Sequence, residues 1–131
     1  MSRYFALFLA ALALLSATAC STIGDALADK GSGQARVYNA SFDQVWNAVP
    51  DALRELGLKE EGFHKGSGYV VARKKVVGQE VADNLAVFID KADSANRTRV
   101  EVVAKSTLML DPLSRKWETR VLDKLSEKFP R

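Results

Sequence analysis

Apolar residues along this chain follow three rhythms, and each predicts a different kind of element. The first is an unbroken run, Tyr4 to Leu15 (YFALFLAALALL), behind Met1-Ser2-Arg3 and ahead of the small residues Ser16-Ala17-Thr18-Ala19. A basic start, an apolar stretch of about 7–15 residues and a small-residue tail are the parts of a secretory signal. The run falls short of the roughly 20 apolar residues that a membrane span needs. The second rhythm is helical. Phe42, Val45, Trp46, Val49, Leu53 and Leu56 recur at spacings of three and four, one stripe of an amphipathic helix. Ser41-Phe42-Asp43-Gln44 reads as a capping box at its start, and Gly57 supplies a left-handed stop. Pro50 cannot donate to the carbonyl of Trp46, so a bend is expected there.

The third rhythm has a period near two. Arg36 to Asn39 is a short strand, and Leu58 to His64 and Tyr69 to Val77 form a hairpin across the turn Lys65-Gly66-Ser67-Gly68. In Asn84 to Lys91, Leu85, Val87 and Ile89 alternate with Ala86 and Phe88, so both faces are apolar. Thr98, Val100, Val102 and Ala104 alternate with Arg99, Glu101, Val103 and Lys105, a half-buried strand whose polar face is expected to look at solvent. Asp111-Pro112 caps a last helix, with Leu113, Trp117, Val121, Leu122, Leu125 and Phe129 along one side. The order β-α-β-β-β-β-α predicts an α+β fold, an antiparallel sheet of four or five strands with two helices packed on one face.

Composition narrows the function more than the fold. Of 131 residues 47% are hydrophobic and 27% charged, the balance of an ordinary globular chain of one domain. A net charge of +3 is too small for a dedicated nucleic-acid binder, so no nucleic-acid partner is expected. The single cysteine, Cys20, excludes an internal disulfide framework and a cysteine-rich zinc site. Ser21 to Gln34 (STIGDALADKGSGQ) holds Gly24, Gly31 and Gly33 with little periodicity and reads as a flexible tether spanning about 20 Å. A short helix from Ile23 to Ala28 is the alternative.

Ala17-Thr18-Ala19-Cys20, with the only cysteine falling where the signal ends, resembles the lipobox of bacterial lipoproteins. The resemblance implies cleavage between Ala19 and Cys20 and acylation of Cys20. It divides the chain into a signal peptide (1–19), a lipidated N-terminus with tether (20–34) and a single α+β domain (35–131). Ala17 stands where that family usually has Leu, and Ala17-Thr18-Ala19 is also an A-x-A site. An exported protein with a free Cys20 is therefore a second reading, and an uncleaved anchor, with Ala17 and Ala19 extending the apolar stretch, is a third. Ser21 is not the Asp that retains enterobacterial lipoproteins in the inner membrane, so the resemblance implies an outer-membrane protein facing the periplasm. Each buried lipid methylene contributes about 0.8 kcal/mol, and two or more chains anchor stably. The stretch YNASFDQVWNAVPDALRELGLKEEGFHKGSGYVVARK is similar in layout to small envelope lipoproteins of unknown function. It is also similar to the helix-grip modules of the barrel-assembly lipoprotein C subunit. What that carries is a fold rather than an activity.

Little in the chain points to catalysis. His64 is the only histidine, set beside a turn with no nucleophile motif, and neither a triad nor a zinc site follows from it. Glu60 and Glu61 are adjacent on a strand and so point to opposite faces, and both read as solvated, as do Asp90 and Asp93. Gly66-Ser67-Gly68 leads into a strand, not a helix, so it lacks the helix N-terminus of a phosphate loop. No catalytic residue, metal ligand or cofactor is expected. Lys116, Arg120, Lys124 and Lys128 form a basic stripe on the last helix, the candidate surface for an envelope partner, with Glu118, Asp123 and Glu127 nearby to balance it. Two functions follow: a non-enzymatic binding or scaffold module, or a carrier of a small apolar ligand in a helix-grip cavity. The second requires Leu85, Val87, Ile89, Val100 and Val102 to line a void.

Overall fold

The computed structural model describes residues 3–4, 22–75, 82–106 and 114–130. Its elements run α1 (Ile23–Ala28), β1 (Gln34–Tyr38), α2 (Phe42–Glu55), β2 (Lys59–His64), β3 (Tyr69–Lys75), β4 (Ala82–Lys91), β5 (Thr98–Ser106) and α3 (Ser114–Ser126). The fold is α+β. Its five strands form one antiparallel sheet in the order β1-β5-β4-β3-β2, so β2 to β5 make a meander and β1 closes on β5.

Helix α2 begins as its sequence dictates. Gln44 N donates to Ser41 Oγ at 3.2 Å, and Ser41 N donates back to Gln44 Oε1 at 2.9 Å. It ends in a Schellman motif: Gly57, at φ +75°, donates to Arg54 O at 2.9 Å and Leu58 N donates to Leu53 O at 2.9 Å. Val45, Trp46, Val49, Ala52 and Leu53 face the sheet. Opposite them, Leu85, Val87, Ile89, Val100 and Val102 are at most 1% exposed, in one cluster with Val121, Leu122 and Leu125 of α3. Strand β1 is tied to α3 as well: Tyr38 Oη donates to Leu122 O and Arg36 Nη1 to Asp123 Oδ1, both at 2.6 Å.

The expectation of two helices on one face holds for α2 and α3 but misses a third helix on the other face. The stretch expected as a flexible tether instead holds the alternative, the short helix Ile23–Ala28 (α1), and β1 starts at Gln34 rather than at Arg36. Thr22 caps α1, accepting from Asp25 N while the Asp25 carboxylate accepts from Thr22 N. Ala26 is fully buried against Val71, Ala86, Phe88 and Val103, with Ile23 and Leu27 at its sides. This cover explains why β4 is apolar on both faces. It also corrects the reading of β5, whose second face does not look at solvent: Glu101 and Val103 are each 1% exposed. The Asp111-Pro112 cap and Leu113 lie outside the described residues.

Candidate functional site

Two carboxylates that sequence periodicity assigned to solvent hold the chain where it enters the sheet. Glu101 stands on β5 beneath the loop after α1. Gly31 N donates to its two oxygens at 3.0 and 2.8 Å, and Gly33 N donates to Oε2 at 3.1 Å. Arg99 Nη1 lies 3.8 Å from its other oxygen. Glu118, on α3 and 5% exposed, reaches the same entry point from the opposite face. It accepts from Gln34 N and from Ala104 N, each at 3.2 Å. Residues 31–34 are thus gripped from both sides of the sheet by carboxylates whose partners, among the described residues, are backbone amides apart from the distant Arg99. Buried carboxylates are tolerated when their lone pairs are filled in this way. Outside the grip, Lys105 pairs with Asp29, and Lys30 Nζ lies 3.3 Å from Asp90 and over the Phe88 ring.

The signal for this grip was in the pattern, though not in the charges. Val103 shares a strand face with Glu101, and Ala86 and Phe88 sit on the matching face of the next strand. An apolar trio on a face assigned to solvent asks for a cover, and the residues before β1 are the nearest chain able to supply it.

The candidate partner surface on α3 divides in two. Lys124 Nζ lies 2.9 Å from Glu55 of α2 and 3.1 Å from Glu127, and Lys128 Nζ lies 3.8 Å from Glu55. The Glu55 carboxyl is held below the ordinary glutamate value, chiefly by the hydrogen bond from Lys124 and then by its charge. The Lys124 ammonium is raised by hydrogen bonds to Glu55 and Glu127. At the other end, Arg120 lies 5.0 Å over the Trp117 ring, and Lys116 is exposed with no carboxylate partner among the described residues. Glu118 does not balance the stripe, because its side chain is turned into the β1–β5 junction. Trp117 itself donates from Nε1 to Asp83 Oδ2 at 2.8 Å, which fixes the ring at the α3–β4 contact.

The remaining sequence candidates are not brought together. His64 is exposed and stacks on Tyr69 with ring centroids 4.6 Å apart. Glu60 is not solvated as expected: its side chain is 16% exposed and lies 3.0 Å from Arg54 Nε. Strand β2 is bulged between Glu60 and Gly62, so Glu61 drops out of the ladder and is exposed. Asp90 pairs with Lys30, and Asp93 with Arg97 at 2.5 Å. The Gly66-Ser67-Gly68 turn is a single 3₁₀ turn closed by Gly68 at φ +73°. It borders an open groove of about 700 Å³ with Phe42, Ile89, Asp90 and Lys91. Among the described residues no group of three or more His, Cys, Asp or Glu side chains is placed to hold a metal ion. Ala19 and Cys20, the cleavage and acylation candidates, lie outside the described residues. No family model and no curated protein matches the chain.

Proposed function

We propose that this chain is a lipid-anchored, non-enzymatic lipoprotein facing the periplasm from the outer membrane, whose α+β domain binds another protein of the envelope. The observation that carries the reading is the apolar run Tyr4 to Leu15 closing on Ala17-Thr18-Ala19-Cys20, with the only cysteine at its end. Acyl chains on Cys20 are the link to the membrane, so the domain needs no apolar surface of its own for that purpose. Support for a binding role in the domain comes from Lys116, Arg120 and the half-exposed Trp117, a cationic and aromatic corner that the Glu55 and Glu127 pairs leave open.

The carrier reading draws no support from the sheet. A ligand-sized void between sheet and helices would leave its walls accessible, yet Leu85, Val87, Ile89, Val100 and Val102 are at most 1% exposed.

The test is the mass of the N-terminal peptide of protein made in a Gram-negative host, followed by crosslinking on intact membranes. An acylated Cys20 and a crosslinked partner lost in the Lys116→Glu/Arg120→Glu double variant are the expected results. An unmodified Cys20 overturns the anchoring, and a crosslink indifferent to that double variant overturns the assigned surface.

A further inference from the structure

We infer that the lipid anchor and the domain form one oriented unit, with the α1 side of the sheet turned to the bilayer and the α2/α3 side turned away from it. This rests on the anchoring proposed above and adds a surface to it: the face that meets phospholipid headgroups.

Chain length sets the orientation. Cys20 lies two residues before Thr22, the N-cap of α1. A chain spans at most about 3.5 Å per residue, so the acylated residue stays within about 7 Å of Thr22. A free tether of the fourteen residues Ser21–Gln34 would instead have let the domain tumble over about 20 Å. That slack is taken up by docking. Helix α1 buries Ala26 on the sheet, Gly31 and Gly33 are held by Glu101, and Gln34 is held by Glu118.

Thr22 belongs to the α1 layer, on the far side of the sheet from α2 and α3. With layers about 10 Å apart, the outer surface of α2 stands roughly 20 Å farther from the anchor than α1 does. On the α1 side Lys30 pairs with Asp90, Lys105 with Asp29 and Arg99 stands 3.8 Å from Glu101, while the Asp25 carboxylate caps its own helix, so among the described residues acidic and basic groups on this face are interleaved rather than one-signed. The orientation comes from covalent reach, not from attraction. Its consequence is that the Lys116–Trp117–Arg120 corner is presented to a partner and kept off the lipid.

The test uses the full acylated chain in phosphatidylethanolamine/phosphatidylglycerol vesicles bearing a headgroup acceptor dye. A donor is placed on Ala28→Cys in α1 or on Asn47→Cys in α2, both exposed positions. Transfer at least twofold more efficient from position 28 is expected. Inserting twelve Gly/Ser residues between Ser21 and Thr22 is expected to abolish the difference, because slack of about 20 Å then returns. An acylated chain giving equal transfer from the two sites, as in an edge-on or tumbling domain, overturns this inference and leaves the anchoring intact. A chain that carries no acyl group and does not bind the vesicles overturns both.

Discussion

Replacing Glu101 by Ala removes the acceptor that holds residues 31–33 and tests whether the segment is docked by the carboxylate or only by its apolar side. Gly31 N reaches both oxygens, at 3.0 and 2.8 Å, and Gly33 N reaches one at 3.1 Å. Hydrogen bonds to a charged group contribute about 1.5–3 kcal/mol each, so two donors left without an acceptor cost about 3–6 kcal/mol if the segment stays in place. It has an escape. By peeling off the sheet it hydrates both amides and loses only its docking, whose apolar part is one buried Ala26 and the half-buried Ile23 and Leu27. The expected loss is therefore capped at about 2–4 kcal/mol and is local before it is global. Urea unfolding followed by tryptophan fluorescence reads the global part, and trypsin cleavage after Lys30, in the turn that follows α1, reads the local part. Cleavage at Lys30 is expected to accelerate by more than tenfold, while the Trp46 signal stays native. A loss below about 0.5 kcal/mol with Lys30 as resistant as in the unaltered chain would refute the reasoning, since an exposed or redundant carboxylate behaves in that way.

Three further outcomes follow from the packing and the charges. Leu85→Ala, at a fully buried position under α2 and α3, is expected to cost about 2–5 kcal/mol in chemical denaturation. A loss under about 1 kcal/mol would reveal a pre-existing void there and revive the carrier reading. Gly68→Ala combines a residue at φ +73° with a Cβ that would stand 2.7 Å from Ile89 O, so a loss of about 1–3 kcal/mol is expected by the same measurement. The Glu55–Lys124 link between α2 and α3 has its sign on both sides. The lowered Glu55 contributes above its ordinary value of 4.5 and loses that contribution as pH falls through its depressed folded value. The raised Lys124 contributes below 10.5 and loses it as pH rises through its folded value, so the link is complete between those limits. In Lys124→Met the Glu55 carboxyl titration, followed by nuclear magnetic resonance, is expected to move up toward 4.5. An unmoved midpoint would show that the pair does not form in solution.

The order and type of β1 to α3 were legible in the sequence because each element carries its own local instruction. Ser41 and Gln44 start α2, Gly57 stops it, and Gly68 closes the β2–β3 hairpin through backbone geometry that needs no distant partner. The apolar stripes of α2 and α3 also announced a common core, because periodicities of 3.6 and 2 leave one side of each element to be buried. The six-residue α1 was legible only as the alternative to a tether. A helix that short is unstable alone, so its sequence carries only a weak periodic signal and its existence depends on the surface it covers. The same dependence hid Glu101 and Glu118. A glutamate reads as solvated wherever the chain is considered strand by strand, and only the meeting of β1, β5, α1 and α3 brings amides to these two carboxylates. By itself, then, the sequence determined the strands and the two long helices. Tertiary structure alone decided that the residues from Thr22 to Gln34 dock rather than swing, because that outcome rests on contacts between residues about seventy positions apart, which no local pattern encodes.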